Sequence, residues 1–154
     1  KKSVKVIEKS GVSYALLHCK SEYPADNKGL KLDFINKLKK TFPKSIVGYS
    51  DHSVGIIPSI SAMAKGACIL EKHFTDKKSR KGPDIICSMD PKDLIFLKRT
   101  ADIIFDSNGY NKKISSIEKK TAKFAFSSVV SIDNINKGEK LSLKNIWVKR
   151  RSTH

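Results

Sequence analysis

The sequence predicts an α/β fold in which parallel strands alternate with helices. Short apolar runs of strand length alternate along the first two thirds of the chain with longer stretches whose apolar residues follow helical spacing. The connections between these stretches are short. Parallel strands need crossover connections, which are usually helices, so this alternation favours a parallel sheet covered by helices.

Three strand-and-helix repeats account for the region up to residue 109. Residues 1–11 have the charged pattern typical of the end of an earlier helix. Asp90 and Pro91 indicate the start of the last helix, and Asn108 with Gly109 indicates its end. The predicted strands are YALLHC (14–19), SIVGYS (45–50) and CILEKHF (68–74), and the predicted helices are LKLDFINKLKKTF (30–42), IIPSISAMAKGA (56–67) and DPKDLIFLKRTADIIF (90–105).

Three strands with helices on one side form an incomplete sheet or barrel. Such an arrangement leaves strand edges and apolar faces uncovered. We therefore expect the chain to be part of a larger α/β enzyme, or to need further material that closes the sheet.

The repeating pattern ends near Gly109. Residues 110–123 are polar and rich in lysine, without strong periodicity, and we interpret them as a linker. Residues 124–154 then begin a separate β-rich module, in which a run at Val129 and Val130, a turn at NKGE (136–139) and a run at IWVK (146–149) follow one another.

Charge and cysteine content restrict the class of protein. The 154 residues carry a formal net charge of +16, and the three cysteines have no paired spacing, which is typical of reduced thiols in a cytoplasmic protein. No apolar run is long enough to span a bilayer, so we expect no membrane association. The excess charge is spread lysine without an aromatic stacking platform, so a solvated surface is favoured over the alternative of a basic nucleic-acid-binding protein.

Polar side chains gather where the three predicted strands end, which is where parallel α/β folds carry their functional residues. His52 and His73 occupy equivalent ends of adjacent strands, about 4.8 Å apart, and two imidazoles there are suited to share one divalent metal. Ser21 and Ser50 are candidates for phosphate contact or for turns. Asp51 is expected either to orient a neighbouring group or to cap the next helix, and the cap is favoured. Glu71 and Lys72 receive no role, and Cys19, Cys68 and Cys87 are interpreted as packing residues.

Five segments follow one another along the chain: LLHCKSEYPA, VGYSDHSVGI, ACILEKHFT, KGPDIICSMDP and NINKGEKLSLKNIWVKR. Together they resemble the sialic acid synthase family, whose members condense phosphoenolpyruvate with N-acetylmannosamine and release phosphate. The resemblance implies a partial TIM (β/α)8 barrel, its last three strand–helix units, in residues 1–109. It further implies a linker at 110–123 and the start of an antifreeze-like (SAF) domain at 124–154.

The resemblance also implies roles for individual residues. His52 and His73 match metal ligands for Mn²⁺ or Mg²⁺, and Ser50 matches a phosphoenolpyruvate contact. The remaining matches are Ser21 at a second phosphoenolpyruvate position, Tyr23 and Asp84 at sugar positions, Arg150, with Arg151 as its alternative, at the N-acetyl contact, and Phe124 or Phe126 at the wall of the site.

The family forms domain-swapped homodimers in which the small domain of one subunit covers the barrel of the other. We therefore expect a homodimer, with N-acetylneuraminate as product and a synthase for legionaminic or pseudaminic acid as the alternative. Because the earlier barrel strands carry further contacts, we expect the 154-residue chain alone to be inactive as a synthase.

Overall fold

The structure is a computed structural model that describes residues 2–150, and these form two compact units that divide between Asn108 and Gly109. Within the described range, no helix combines the length and the apolar character needed to cross a membrane.

The first unit confirms the predicted alternation of strands and helices. Helix α4 begins as the sequence indicates, because the Asp90 carboxylate accepts from the Asp93 backbone N–H and the Asp93 side chain accepts from the Asp90 N–H. The elements are α1 (Lys2–Lys9), β1 (Ala15–Cys19), α2 (Phe34–Thr41), β2 (Ile46–Asp51), α3 (Ile57–Ala64), β3 (Ile69–Lys72) and α4 (Pro91–Ser107), with short 3₁₀ turns at Asn27–Gly29 and Ile85–Cys87.

The three strands form one parallel sheet in the order β1-β2-β3. Because side chains alternate between the two faces of a strand, the register assigns each strand-end residue to a face. Tyr49 is paired with His18 on one side and Leu70 on the other, and these three share the helix-covered face. The next row, formed by Cys19, Ser50 and Glu71, lies on the opposite face.

The core lies between the sheet and helices α2 and α3. Ile35 from α2, Val47 and Tyr49 from β2, and Ala62 from α3 form one buried cluster. Both helices therefore pack against the same face of the central strand, as the sequence predicts.

Asp51 ends β2 inside this helix-covered layer, and its side chain is completely buried. One carboxylate oxygen accepts from the Ser53 backbone N–H at 2.9 Å and from the Ser53 hydroxyl at 2.6 Å. The other accepts from the Ser59 hydroxyl at 2.5 Å and lies 3.2 Å from Lys72 Nζ. Burial opposes ionisation of this carboxyl, but the hydrogen bonds from the two serines and the charge of Lys72 outweigh it and lower the pKa of Asp51.

The second unit contains helix α5 (Ser116–Ala125) and the antiparallel pair β4 (Ser127–Ser131) and β5 (Ile146–Arg150). Both predicted β runs and the turn between Asn136 and Glu139 are confirmed. Residues 110–123, interpreted as a linker without strong periodicity, contain the start of α5. Ser115 and Glu118 cap the start of α5 by accepting from each other's backbone N–H groups. The sequence SSIE (115–118) has the serine and glutamate at the spacing of such a capping box.

We expect Gly48→Ala to destabilise the first unit. A Cβ at Gly48 would lie 2.6 Å from the Ile69 carbonyl oxygen and 2.8 Å from Ile69 Cβ, so β2 and β3 would have to separate. Overpacking of this kind costs about 1–3 kcal/mol in the free energy of unfolding. At the control position Gly29 a new Cβ meets only the flexible end of Lys20, at 3.3 Å. Urea unfolding followed by circular dichroism tests this, and equal losses for Gly48→Ala and Gly29→Ala would contradict it.

We expect Ser59→Ala to lower the free energy of unfolding by about 1.5–3 kcal/mol, because it removes a hydrogen bond to a buried charge. Ser61→Ala on the same helix is the control. Ser61 is only half-buried, so that change should stay within about 0.5 kcal/mol of the parent protein. The same unfolding measurement compares the two. Indistinguishable midpoints would mean that the Ser59 hydroxyl does not support Asp51.

Candidate functional site

The site lies at the carboxyl ends of β2 and β3, where a histidine follows each strand. His52 comes directly after β2 and His73 directly after β3. The two imidazole rings face each other edge-on, with 5.3 Å between their centroids. His52 is buried, whereas His73 keeps about a third of its side chain exposed. The structure therefore brings together the two residues that the sequence predicts as metal ligands.

The imidazole of His52 is oriented by the backbone of the loop that follows β1. Its Nδ1 lies 3.0 Å from the carbonyl oxygen of Lys20. A carbonyl only accepts, so Nδ1 carries the proton and donates it. With the proton on Nδ1, the free lone pair of the His52 ring lies on Nε2. This neutral form of imidazole can bind a metal through Nε2.

His73 lies next to a loop that folds back onto the end of β3. The His73 carbonyl accepts from the Met89 N–H, and the Thr75 N–H donates to the Met89 carbonyl, both at 2.8 Å. This return brings Asp84 close, with its Oδ2 3.6 Å from His73 Nδ1. Cys87 lies there too, and ligand atoms of His73, Asp84 and Cys87 all fall within 4.8 Å of one another.

Cys87 was interpreted from the sequence as a packing residue, and it is fully buried. Its thiol donates to the Asp84 carbonyl oxygen at 3.2 Å. Burial, reinforced by the negative charge of Asp84, raises the pKa of the Cys87 thiol. The neutral thiol is thus the favoured form, and His73 and the Asp84 carboxylate are the better ligands of this group.

Tyr23 joins the two histidines. Its ring centroid lies 4.2 Å from that of His52 and 5.6 Å from that of His73, and about half of its surface is exposed. The Ala25 N–H donates to the His52 carbonyl at 2.8 Å, which holds the loop of Tyr23 against the end of β2. The ring of Tyr23 therefore lies beside both imidazoles.

The two serines predicted to contact phosphate lie on the same side of the sheet. Ser50 is buried in the row between Cys19 and Glu71. Ser21 is exposed, with its Oγ 3.6 Å from Cys19 Sγ, and that sulfur lies 3.8 Å from His52 Nδ1. Cys19 is exposed rather than packed, so its interpretation as a packing residue is wrong.

Arg150 belongs to the second unit, where it ends β5 opposite Ser127 and is exposed. Phe124 and Phe126 lie in the same unit, at the end of α5, and both are exposed. Arg151, the alternative to Arg150, lies outside the described residues.

The interpretation of Asp51 as a helix cap is wrong. Helix α3 has Ile56 at its N-cap position, and Asp51 instead accepts from the hydroxyl of Ser59 and pairs with Lys72. Lys72, which received no role from the sequence, is a buried cation of the first unit. The sequence does contain a signal for this ion pair. Asp51 directly precedes His52 and Lys72 directly precedes His73, so two residues of opposite charge stand at equivalent positions of adjacent strands.

The donor set suits a divalent transition metal. His52 offers Nε2, and His73 with the nearby Asp84 carboxylate offers a second nitrogen and an oxygen. Imidazole nitrogens bind divalent transition metals, and a carboxylate oxygen is an additional ligand for many divalent metals. The residues present therefore fit a divalent metal.

Comparisons with known proteins show the family of this chain. A model of the NeuB family matches residues 1–113. The N,N'-diacetyllegionaminic acid synthase of Campylobacter jejuni is 42% identical over 88% of this chain and 40% of its own length. The N-acetylneuraminate-9-phosphate synthase of Drosophila melanogaster is 33% identical over 95% of this chain and 46% of its own length.

A solved structure is similar as well. The N-acetylneuraminic acid (sialic acid) synthetase of Leptospira borgpetersenii, in complex with citrate, superposes with a TM-score of 0.70 at 32% identity, over 80% of this chain and 43% of that one. The chain thus spans less than half the length of these relatives. The structural match and the parallel strand–helix units described above identify the first unit as part of a TIM barrel. The chain belongs to the NeuB family of sialic acid synthases.

Proposed function

We propose that this chain is part of a synthase that condenses phosphoenolpyruvate with N-acetylmannosamine to give N-acetylneuraminate and phosphate. The observation that carries the proposal is the pair of strand-end imidazoles, 5.3 Å apart and bordered by Tyr23 and Asp84. Family membership supports a nonulosonic acid as the product. A legionaminic-type product remains the alternative, because the Campylobacter relative is a synthase for that acid.

The reaction joins C3 of phosphoenolpyruvate to the aldehyde carbon of the sugar. Water adds at C2, and phosphate leaves with cleavage of the C–O bond. We assign the metal to His52 and His73. When bound there, a divalent metal supplies the Lewis acidity that polarises the aldehyde.

The chain's own residues orient the two substrates. Lys20 keeps the proton of His52 on Nδ1 and so leaves Nε2 free to bind. Ser50, and Ser21 at the rim, donate hydroxyl protons to the anionic groups of phosphoenolpyruvate. Tyr23 and Asp84 contact the sugar hydroxyls, Tyr23 from beside both rings and Asp84 from the loop after β3.

In the proposal the protein acts as a homodimer whose SAF domains, begun here at residue 124, cover the partner's barrel. Arg150 then reaches the N-acetyl group of the sugar, with Phe124 or Phe126 at the wall. The exposure of these side chains in the second unit supports such a role.

We expect His52→Ala and His73→Ala each to raise the dissociation constant for Mn²⁺ by more than the roughly 10–100-fold that loss of a supporting residue costs. His18→Gln is the matched control. His18 lies on the helix-covered face, where its Nε2 contacts the Leu30 carbonyl, and glutamine can keep that bond. Titration with Mn²⁺ followed by electron paramagnetic resonance measures the constants.

Phosphate release from phosphoenolpyruvate with N-acetylmannosamine, assayed in the complete protein, should fall in parallel. Mn²⁺ affinity unchanged in both alanine variants would refute the assignment of the metal. A complete protein that binds Mn²⁺ but releases phosphate only with an acceptor of the legionaminic type would move the proposal to the alternative product.

Arg150→Ala should raise the KM for N-acetylmannosamine about tenfold or more, with little change in the KM for phosphoenolpyruvate, because it removes a charged hydrogen bond to the N-acetyl group. Lys149→Ala is the control, since neighbouring residues of a strand point to opposite faces. Arg151→Ala tests the alternative arginine. Steady-state kinetics on the complete protein decides, and an effect confined to Arg151→Ala would reassign the contact.

A further inference from the structure

The buried ion pair between Asp51 and Lys72 lies directly beneath the candidate metal site. Both side chains are completely shielded from solvent. Each immediately precedes one of the two histidines in the chain, Asp51 before His52 and Lys72 before His73. Because successive side chains point to opposite faces, the ion pair occupies the helix-covered layer while the imidazoles point away from it.

The contacts of Lys72 reach both sides of His52. Its Nζ lies 3.2 Å from Asp51 Oδ2 and donates to the Ser53 carbonyl at 2.8 Å. Lys72 therefore ties the end of β3 to the residues immediately before and after His52. Among the residues that the structure describes, Lys72 makes no hydrogen bond or ion pair with either imidazole.

The Asp51 carboxylate closes the same stretch of backbone into a tight loop. It accepts from both the N–H and the hydroxyl of Ser53, so residues 51 and 53 are held together across His52. His73 is held in turn by the Met89 N–H on its carbonyl and by Lys72 as its preceding residue. The Cα positions of both histidines are thus fixed by the groups on either side of them.

Stability alone accounts poorly for this pair. Removing two charges from water costs several kcal/mol per ion, and a buried ion pair can often be replaced by apolar residues at little or no net cost. What apolar residues cannot reproduce is a directed bond from the end of β3 to the Ser53 carbonyl. Such a bond sets the spacing between two strand ends.

We propose that Asp51 and Lys72 are positioning residues that hold His52 and His73 at the separation needed to share one metal. The role rests on the proposed function of the histidines. It adds two residues that do not contact metal or substrate.

The test uses the double variant Asp51→Asn with Lys72→Met, which removes both charges without leaving either one buried alone. Its matched control removes the exposed pair Lys65 and Asp33, 2.6 Å apart, as Lys65→Met with Asp33→Asn. The readouts are the nuclear Overhauser effect between the ring protons of His52 and His73 in metal-free protein, and the dissociation constant for Mn²⁺. Thermal unfolding is followed alongside.

We expect the double variant to remain folded, to lose most of the ring-to-ring Overhauser effect, and to bind Mn²⁺ about 10–100-fold more weakly, the range typical for residues that orient metal ligands. The control should change neither quantity. A folded double variant with the parent's Overhauser effect and Mn²⁺ affinity would overturn the proposal. The metal-free readout keeps the result interpretable even if the parent protein binds no Mn²⁺, an outcome that would remove the proposed metal site instead.

A second comparison applies if the double variant fails to fold. Ser53→Ala and Ser59→Ala each remove one hydroxyl from Asp51, but Ser53 adjoins His52 whereas Ser59 lies on α3. Positioning predicts weaker Mn²⁺ binding and a smaller ring-to-ring effect for Ser53→Ala than for Ser59→Ala at similar losses of stability. Equal effects of the two variants on both readouts would mean that Asp51 and Lys72 contribute stability alone.

Discussion

The carboxylate of Asp51 is the group on which the order of the site depends. A buried charge is tolerated only when it is fully hydrogen-bonded and paired, and Asp51 meets that condition by drawing on three separate elements. Ser53 comes from the loop after β2, Ser59 from α3 and Lys72 from β3. The hydrogen bonds and the ion pair of this one carboxylate thus join the first turn of α3 and the ends of β2 and β3 at a single point.

The parallel register carries that constraint to the other face of the sheet. Rows of paired residues run across β1, β2 and β3, and each row lies on the face opposite to the next. The row of His18, Tyr49 and Leu70 packs against helices, whereas the row of Cys19, Ser50 and Glu71 faces away from them. Packing on one side of the sheet therefore determines where the candidate ligands lie on the other. The absence of a side chain at Gly48 allows β2 and β3 to approach closely and to keep this register.

Much of the fold followed from periodicity, because apolar spacing reports directly which face of an element is buried. The convergence of His52, His73 and Tyr23 was predictable for a related reason, since parallel strands deliver their ends to one edge. The pairing of Asp51 with Lys72 was not predictable by the same logic. Charged residues are usually solvent-exposed, and spacing alone cannot identify the exceptions. The approach of Asp84 and Cys87 depends on the path of a loop, and α5 depends on a cap at Ser115 that outweighs a polar, lysine-rich composition.

The loop after β3 is attached to the sheet at both of its ends. Phe74 bridges to Met89 at its base, and the intervening residues 76–88 carry Asp84 out and back. Because both ends of this loop are held by the sheet, changes within the loop need not displace β3. The length and side chains of the loop can change while the strand end before His73 stays in register. A different loop would then alter the surroundings of His73 without any change to the sheet.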